Sequence, residues 1–114
     1  MLTLTKHRDE AEAFQFDFTN LLGTNETISS ITAVKIVRRS TAAGGWTDVS
    51  AQFGSPAGSI VTGEKKIQFT LAAATGSQQA AGMYVLYGEV VTSDAETLVQ
   101  TGNLTVSDRA SLTA

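Results

Sequence analysis

Polar and apolar residues alternate along much of the chain, most clearly in its second half. Residues 66–71 alternate strictly, and their apolar members are Ile67, Phe69 and Leu71. A period of two places such side chains on one face of a β-strand. Two longer runs rich in β-branched and aromatic residues follow at 82–92 and 96–106, separated by the turn-forming residues 93–95. The second half therefore predicts three strands, the last two joined by a short turn.

The same alternation occurs in the N-terminal half. Phe14, Phe16 and Phe18 fall on one face of a strand. Burying a side chain of this size contributes about 1.5–3 kcal/mol, so this face is expected in the core. Farther along, Val34 and Ile36 are expected to face inward. Both segments predict strands that cover an apolar interior.

The remaining segments carry weaker signals. Residues 46–53 suggest a short strand with Trp46 as its buried anchor, and residues 59–62 suggest another. The Ala- and Gln-rich stretch 72–81 favours a single helical turn by propensity. Tyr84 and Tyr87 differ by three positions in a strand, so they point to opposite faces. In total, seven or eight short strands separated by turn residues predict an antiparallel β-sandwich or a small barrel.

The length of 114 residues predicts one domain. We expect an N-terminal arm at 1–10, with a short edge strand at residues 2–5 left open, a core at 11–107 and a polar C-terminal tail at 108–114. The chain has no cysteine, which excludes disulfides and thiolate metal sites. No apolar run approaches the ~20 residues of a membrane span. No secretory signal is recognised at the N-terminus.

Charge and candidate chemistry point away from catalysis. The net charge of −3 argues against nucleic acid, whose binding needs a clustered positive field. The one histidine, His7, lies among Asp9, Glu10 and Glu12 in a polar segment, where we expect solvation rather than acid–base chemistry or metal binding. No nucleophile motif or phosphate-binding loop is recognised. We therefore expect no enzymatic activity, cofactor or metal.

Four stretches carry a family resemblance: 14–22 (FQFDFTNLL), 26–30 (ETISS), 82–87 (GMYVLY) and 103–106 (NLTV). In this order they resemble the small immunoglobulin-like domains of virion-associated proteins in tailed bacteriophages. The resemblance spans about 85 of the 114 residues. It implies an immunoglobulin-like β-sandwich with extended N- and C-terminal arms and a structural role.

The resemblance also implies a function and a location. The expected function is a capsid decoration, or cement, protein that stabilises the outer shell of a virion assembled in the host cytoplasm. The alternative is an adhesion or binding module of the tail, neck or baseplate. Partners would be the major capsid protein or other virion proteins, with self-association as a homotrimer left open, and neither nucleic acid nor membrane. Both termini are expected to reach the partner through Leu2, Leu4, Lys6, Arg8, Arg109 and Leu112.

Overall fold

The computed structural model describes residues 2–39, 45–61, 63–76 and 78–107. Within these ranges the chain forms eight β-strands and one short 3₁₀-helix. In chain order the strands are β1 (Leu2–His7), β2 (Glu12–Asp17), β3 (Ile28–Arg39), β4 (Trp46–Asp48), β5 (Ser59–Ile60), β6 (Lys66–Leu71), β7 (Gly82–Thr92) and β8 (Thr97–Ser107). The 3₁₀-helix (Ser50–Phe53) follows β4.

The strands form two sheets. The larger has the order β1-β8-β7-β3-β4, and the smaller has the order β2-β6-β5. β1 runs parallel to β8, and the other neighbouring strands are antiparallel. The run β8-β7-β3-β4 corresponds to strands G, F, C and C′ of a variable-type immunoglobulin domain, and β2-β6-β5 corresponds to B, E and D. The chain is therefore an all-β, immunoglobulin-like sandwich and not a barrel.

The core lies between the sheets, and the predicted inward faces are confirmed. Their buried members are Phe16, Phe18, Val34, Ile36, Ile67, Phe69 and Leu71. Phe14 is half-buried and packs against this core. Tyr84 and Tyr87 lie on opposite faces of β7 as expected, with Tyr84 buried. Period-two alternation thus identified the interior of both sheets, because each sheet has one face against the other.

The expectation that Trp46 anchors the core is wrong. Its side chain is 60% exposed, and the buried aromatic of this region is Phe53 in the 3₁₀-helix. The strand ends at Asp48, whose Oδ1 accepts hydrogen bonds from the Ser50 amide at 2.9 Å and the Ser50 hydroxyl at 2.6 Å. This side-chain turn stops the strand and directs the next segment inward.

The helical turn expected within 72–81 is absent from the described residues of that stretch, which form an irregular connection. Gly76 and Gln79 both have left-handed backbone angles, with φ of 60° and 56°. Such angles interrupt a right-handed helix. The side chain of Gln79 is also fully buried and hydrogen-bonded, which a solvent-facing helical turn would not allow.

The N-terminal segment was expected to be an arm with at most a short edge strand at residues 2–5; that edge strand is present, but it extends to His7 and most of the segment belongs to the larger sheet. All six residues of β1 pair with β8, from Leu2 opposite Gly102 to His7 opposite Ser107. The side chain of Lys6 on this strand is fully buried. Residues 2–7 are therefore part of the sandwich. The predicted tail at 108–114 lies outside the described residues.

Candidate binding surfaces

The residues predicted to contact a partner do not form one exposed surface in the described part of the chain. The backbone of Leu2 pairs with β8. Leu4 is half-buried and packs against the core, and Lys6 is fully buried. The side chains of Leu4 and Lys6 therefore already have partners within the domain. Arg109 and Leu112 lie outside the described residues.

Arg8 connects the end of β1 to the loop before β7. Its Nη2 donates hydrogen bonds to the carbonyl oxygens of Gly76 and Gln78, the second at 2.9 Å. Its Nη1 lies 3.5 Å from Asp9 Oδ1. The guanidinium group is thus occupied by the loop, and its role in partner binding stays a prediction.

Lys6 lies at the centre of a buried polar network. Its Nζ donates to Gln79 Oε1 at 2.7 Å and to the carbonyl oxygen of His7 at 3.1 Å. The same Nζ stands 5.9 Å from the centre of the Phe53 ring. Gln79 Nε2 in turn donates to the carbonyl oxygens of Gln52 and Ala72. Burial lowers the pKa of Lys6 below its ordinary value. This network ties β1 to the 3₁₀-helix and to the loop before β7.

His7, at the end of β1, is half-buried. Its Nδ1 atom is buried and has no hydrogen-bond partner in the described ranges. Asp9, Glu10 and Glu12 do not converge with it into a group of metal-ligating atoms within those ranges. The expectation of a solvated histidine is therefore only partly met, because the ring is covered on one side.

Tyr84 forms the tyrosine corner that is typical of immunoglobulin-like domains. Its hydroxyl donates to the carbonyl oxygen of Ala80 at 2.6 Å and accepts from Arg38 Nη1 at 3.2 Å. The Arg38 guanidinium also lies 5.0 Å from the centre of the ring. Burial raises the pKa of Tyr84 above its ordinary value. Tyr84 thus packs in the core through its ring and fixes the loop before β7 through its hydroxyl.

An apolar surface lies directly outside Tyr84, on the solvent face of the larger sheet. Met83 and Val85 flank Tyr84 in sequence, so they point outward. Trp46 lies on the edge strand β4, where it pairs with Arg39 of β3, the strand between β4 and β7. An open depression of about 240 Å³ is lined by Trp46, Met83, Tyr84, Val85 and Asn103. We call the solvent-facing part of this surface the Trp46–Met83 patch; it consists of the exposed Trp46 and Met83 and the half-buried Val85 and Asn103.

A second feature that sequence reasoning missed is an acidic loop cluster of Glu26, Asp94 and Glu96. Each residue has a carboxylate oxygen within 4.8 Å of the others. The Gly23 amide donates to Glu26 Oε1 at 3.0 Å, which lowers the pKa of Glu26. The charge of Glu26 raises the pKa of Glu96. Asp94 and Glu96 follow Glu26 by 68 and 70 positions in the sequence, so only the pairing of β3 with β7 could have indicated the cluster.

Comparison with known proteins adds one structural likeness. A scan against protein-family models and a search of curated proteins found no match. Among solved structures, a structure of murine CRIg is similar, at 12% sequence identity and a TM-score of 0.49. The alignment covers 95% of this chain and 92% of that chain. Within the described residues, no helix is both long and apolar enough to cross a membrane.

Proposed function

We propose that this chain is a non-catalytic binding module that attaches to a protein surface of a phage particle through the Trp46–Met83 patch. The observation that carries the proposal is the exposure of two large apolar side chains that line the same depression, 60% for Trp46 and 65% for Met83. Exposed apolar patches on soluble domains frequently mark interaction sites. Tryptophan is enriched among the residues that dominate binding energy.

The chemistry of the patch favours a protein partner. Its lining residues are apolar except for the uncharged Asn103. The whole chain carries a net charge of −3, and only 17% of its residues are charged. A surface lined by uncharged side chains loses little hydration when it meets another protein, whereas binding to nucleic acid needs a cluster of positive charge. The choice of a virion partner rests on the resemblance of residues 14–106 to phage immunoglobulin-like domains.

The patch takes the place of the N-terminal residues as the main candidate contact. Leu4 and Lys6 face the interior of the domain, so they cannot be exposed without opening β1 from β8. Trp46 and Met83, by contrast, need no rearrangement to meet a partner. The decoration role in the capsid shell is the form of this proposal that we favour.

The test is co-sedimentation of the purified chain with particles of the phage that encodes it. Trp46→Ala should weaken binding by about 30-fold or more, since truncation of a central interface tryptophan costs ~2 kcal/mol or more. Leu21→Ala is the matched control, because Leu21 is 46% exposed in the loop between β2 and β3, outside the patch. Circular dichroism would verify that both variants fold.

Four outcomes decide the proposal. Binding of hundreds of copies per particle, with loss of that binding in Trp46→Ala, supports decoration of the shell. Binding of only a handful of copies supports the neck, tail or baseplate alternative. A chain that never sediments with particles contradicts the proposal. An isolated trimer that Trp46→Ala converts to a monomer would assign the patch to self-association instead.

A further inference from the structure

Two loops meet at one end of the sandwich and bring three carboxylates together. The loop between β2 and β3 carries Glu26, and the turn between β7 and β8 carries Asp94 and Glu96. The loops are joined by reciprocal hydrogen bonds: the Ser93 amide donates to the Thr27 carbonyl oxygen at 2.8 Å, and the Thr27 amide donates to Ser93 Oγ at 3.0 Å. The acidic loop cluster is thus held by the backbone of both loops.

Glu26 supplies an observation that is independent of the clustering. Glu26 is only 8% exposed, so more than nine-tenths of the residue is buried. Oε1 accepts the Gly23 amide, but Oε2 is buried and has no hydrogen-bond partner in the described ranges. Leaving a carboxylate oxygen buried and unpartnered is costly, so such an atom indicates a missing partner.

No positive side chain fills that role. None of the three carboxylates has an ion-pair partner within the part of the chain that the structure describes. Lys65, which reaches the same loop, instead donates its Nζ to the carbonyl oxygens of Gly23 at 2.6 Å and Thr24 at 3.2 Å. Hydrogen bonds from the Gly23 amide and the Thr92 side chain stabilise the Glu26 carboxylate, but the described residues form no ion pair with any of the three acids.

We propose that Glu26, Asp94 and Glu96 bind a divalent metal cation, with calcium preferred. Calcium takes oxygen ligands at about 2.3–2.6 Å, so oxygens on opposite sides of the ion lie about 4.6–5.2 Å apart. The cluster, with its ligand atoms no more than 4.8 Å apart, fits within that sphere. Asp94 and Glu96 are exposed, which leaves room for water to complete the coordination. Magnesium demands a smaller and more regular octahedron.

Binding would fasten the two loops to each other and increase the stability of the folded chain. The affinity expected for an exposed site of this kind is weak, with Kd on the order of 10⁻⁴–10⁻³ M. At 10 mM calcium, the EDTA-treated full chain should then show an increase in Tm of ~5–10 °C. Magnesium at the same concentration, and sodium chloride at matched ionic strength, should give clearly smaller shifts.

The variant Asp94→Asn/Glu96→Gln removes two ligands that are exposed, so it should fold. In EDTA its Tm should equal or exceed that of the wild type, because the repulsion is relieved. In calcium its Tm should not rise. Glu64→Gln is the control, since Glu64 is an exposed acid outside the cluster, and it should keep the full calcium shift.

Isothermal titration of calcium into the same proteins measures binding directly. Saturable binding to the wild type and Glu64→Gln, absent from the double variant, supports the site. The absence of any calcium-specific heat or Tm shift in the wild type overturns it. A full shift in the double variant overturns it as well, because the ion would then bind elsewhere.

Discussion

The ring of Phe16 lies against the backbone of Gly88 so closely that a Cβ atom at position 88 would stand 2.6 Å from Cδ2 of the ring. Phe16 belongs to β2 in the smaller sheet, and Gly88 belongs to β7 in the larger one. The two sheets therefore approach each other through an aromatic ring seated on bare backbone. Any side chain at position 88 would have to displace that ring or separate the sheets.

Gly88→Ala should reduce the free energy of unfolding by about 1–3 kcal/mol, because overpacking a fitted core forces side chains out of their rotamers. Urea denaturation measures the loss. Gly45→Ala is the matched control, since a Cβ there would meet no atom within 4 Å, and its effect should stay within about 0.5 kcal/mol. Equal losses of stability at the two positions would contradict the close contact. Adding Phe16→Leu to Gly88→Ala should restore part of the lost stability, because the smaller side chain leaves room for the new Cβ.

Tyr84→Phe should destabilise the domain by about 1–2 kcal/mol. The substitution keeps the ring in the core but removes the hydroxyl that joins Arg38 to the Ala80 carbonyl oxygen. Tyr87→Phe provides the comparison, because the Tyr87 hydroxyl donates to Glu89 on the solvent face of the same strand. Thermal unfolding followed by circular dichroism should show the larger loss for Tyr84→Phe, and the reverse order would disprove the tyrosine corner as a stabilising contact.

The stability of the chain should depend on pH through Lys6. Because burial lowers the pKa of Lys6 from 10.5, the unfolded chain holds this proton to a higher pH than the folded chain does. The free energy of unfolding therefore rises with pH between the pKa of Lys6 in the folded chain and about 10.5, its value in the unfolded chain. At lower pH the rise is absent, because Lys6 is protonated in both the folded and the unfolded chain. The raised pKa of Tyr84 lowers the free energy of unfolding as the pH increases, but only above about pH 10.

Urea titrations from about pH 7 to 10 would measure this rise. Lys6→Met should flatten it, whereas Lys35→Met, at an exposed position of β3, should leave it unchanged. A wild-type curve that is already flat would argue against a desolvated amine at position 6.

Deletion of residues 1–7 should destabilise the domain and not merely remove a contact arm. The deletion exposes the edge of β8 and removes the buried side chain of Lys6 together with the half-buried Leu4. Loss of the β1 ladder alone is worth about 3 kcal/mol or more, at ~0.5–1.5 kcal/mol for each hydrogen bond. Differential scanning calorimetry would measure the lower Tm, and a peptide of residues 1–10 added in excess should restore part of it. An unchanged Tm would favour the original expectation of an arm.

The predictable part of this fold was the part determined by local alternation. Phe16 and Ile67 could be assigned to the interior because each lies in a strand with one buried face, and a period of two follows directly from that geometry. Trp46 could not be assigned in the same way. Its exposure depends on the turn made by Asp48 and Ser50, which ends the strand before the chain enters the core.

The polar contacts of the interior and of the loops depend on residues far apart in sequence. Lys6 can be buried because Gln79 Oε1, 73 positions later, accepts a hydrogen bond from its Nζ. Glu26 meets Asp94 and Glu96 only because β3 pairs with β7 and aligns their ends. A single sequence carries no signal for either pairing, so an isolated lysine or glutamate reads as an ordinary surface charge.

The packing of Phe16 on Gly88 also bears on how the protein can be handled. In many immunoglobulin domains a disulfide between the corresponding sheets supplies the cross-link. This chain has no cysteine, and a steric fit joins the layers instead. Refolding from denaturant therefore needs neither an oxidant nor a disulfide isomerase, and reducing agents have no disulfide to break in the native state. The domain is consequently suited to production in a reducing compartment such as the bacterial cytosol.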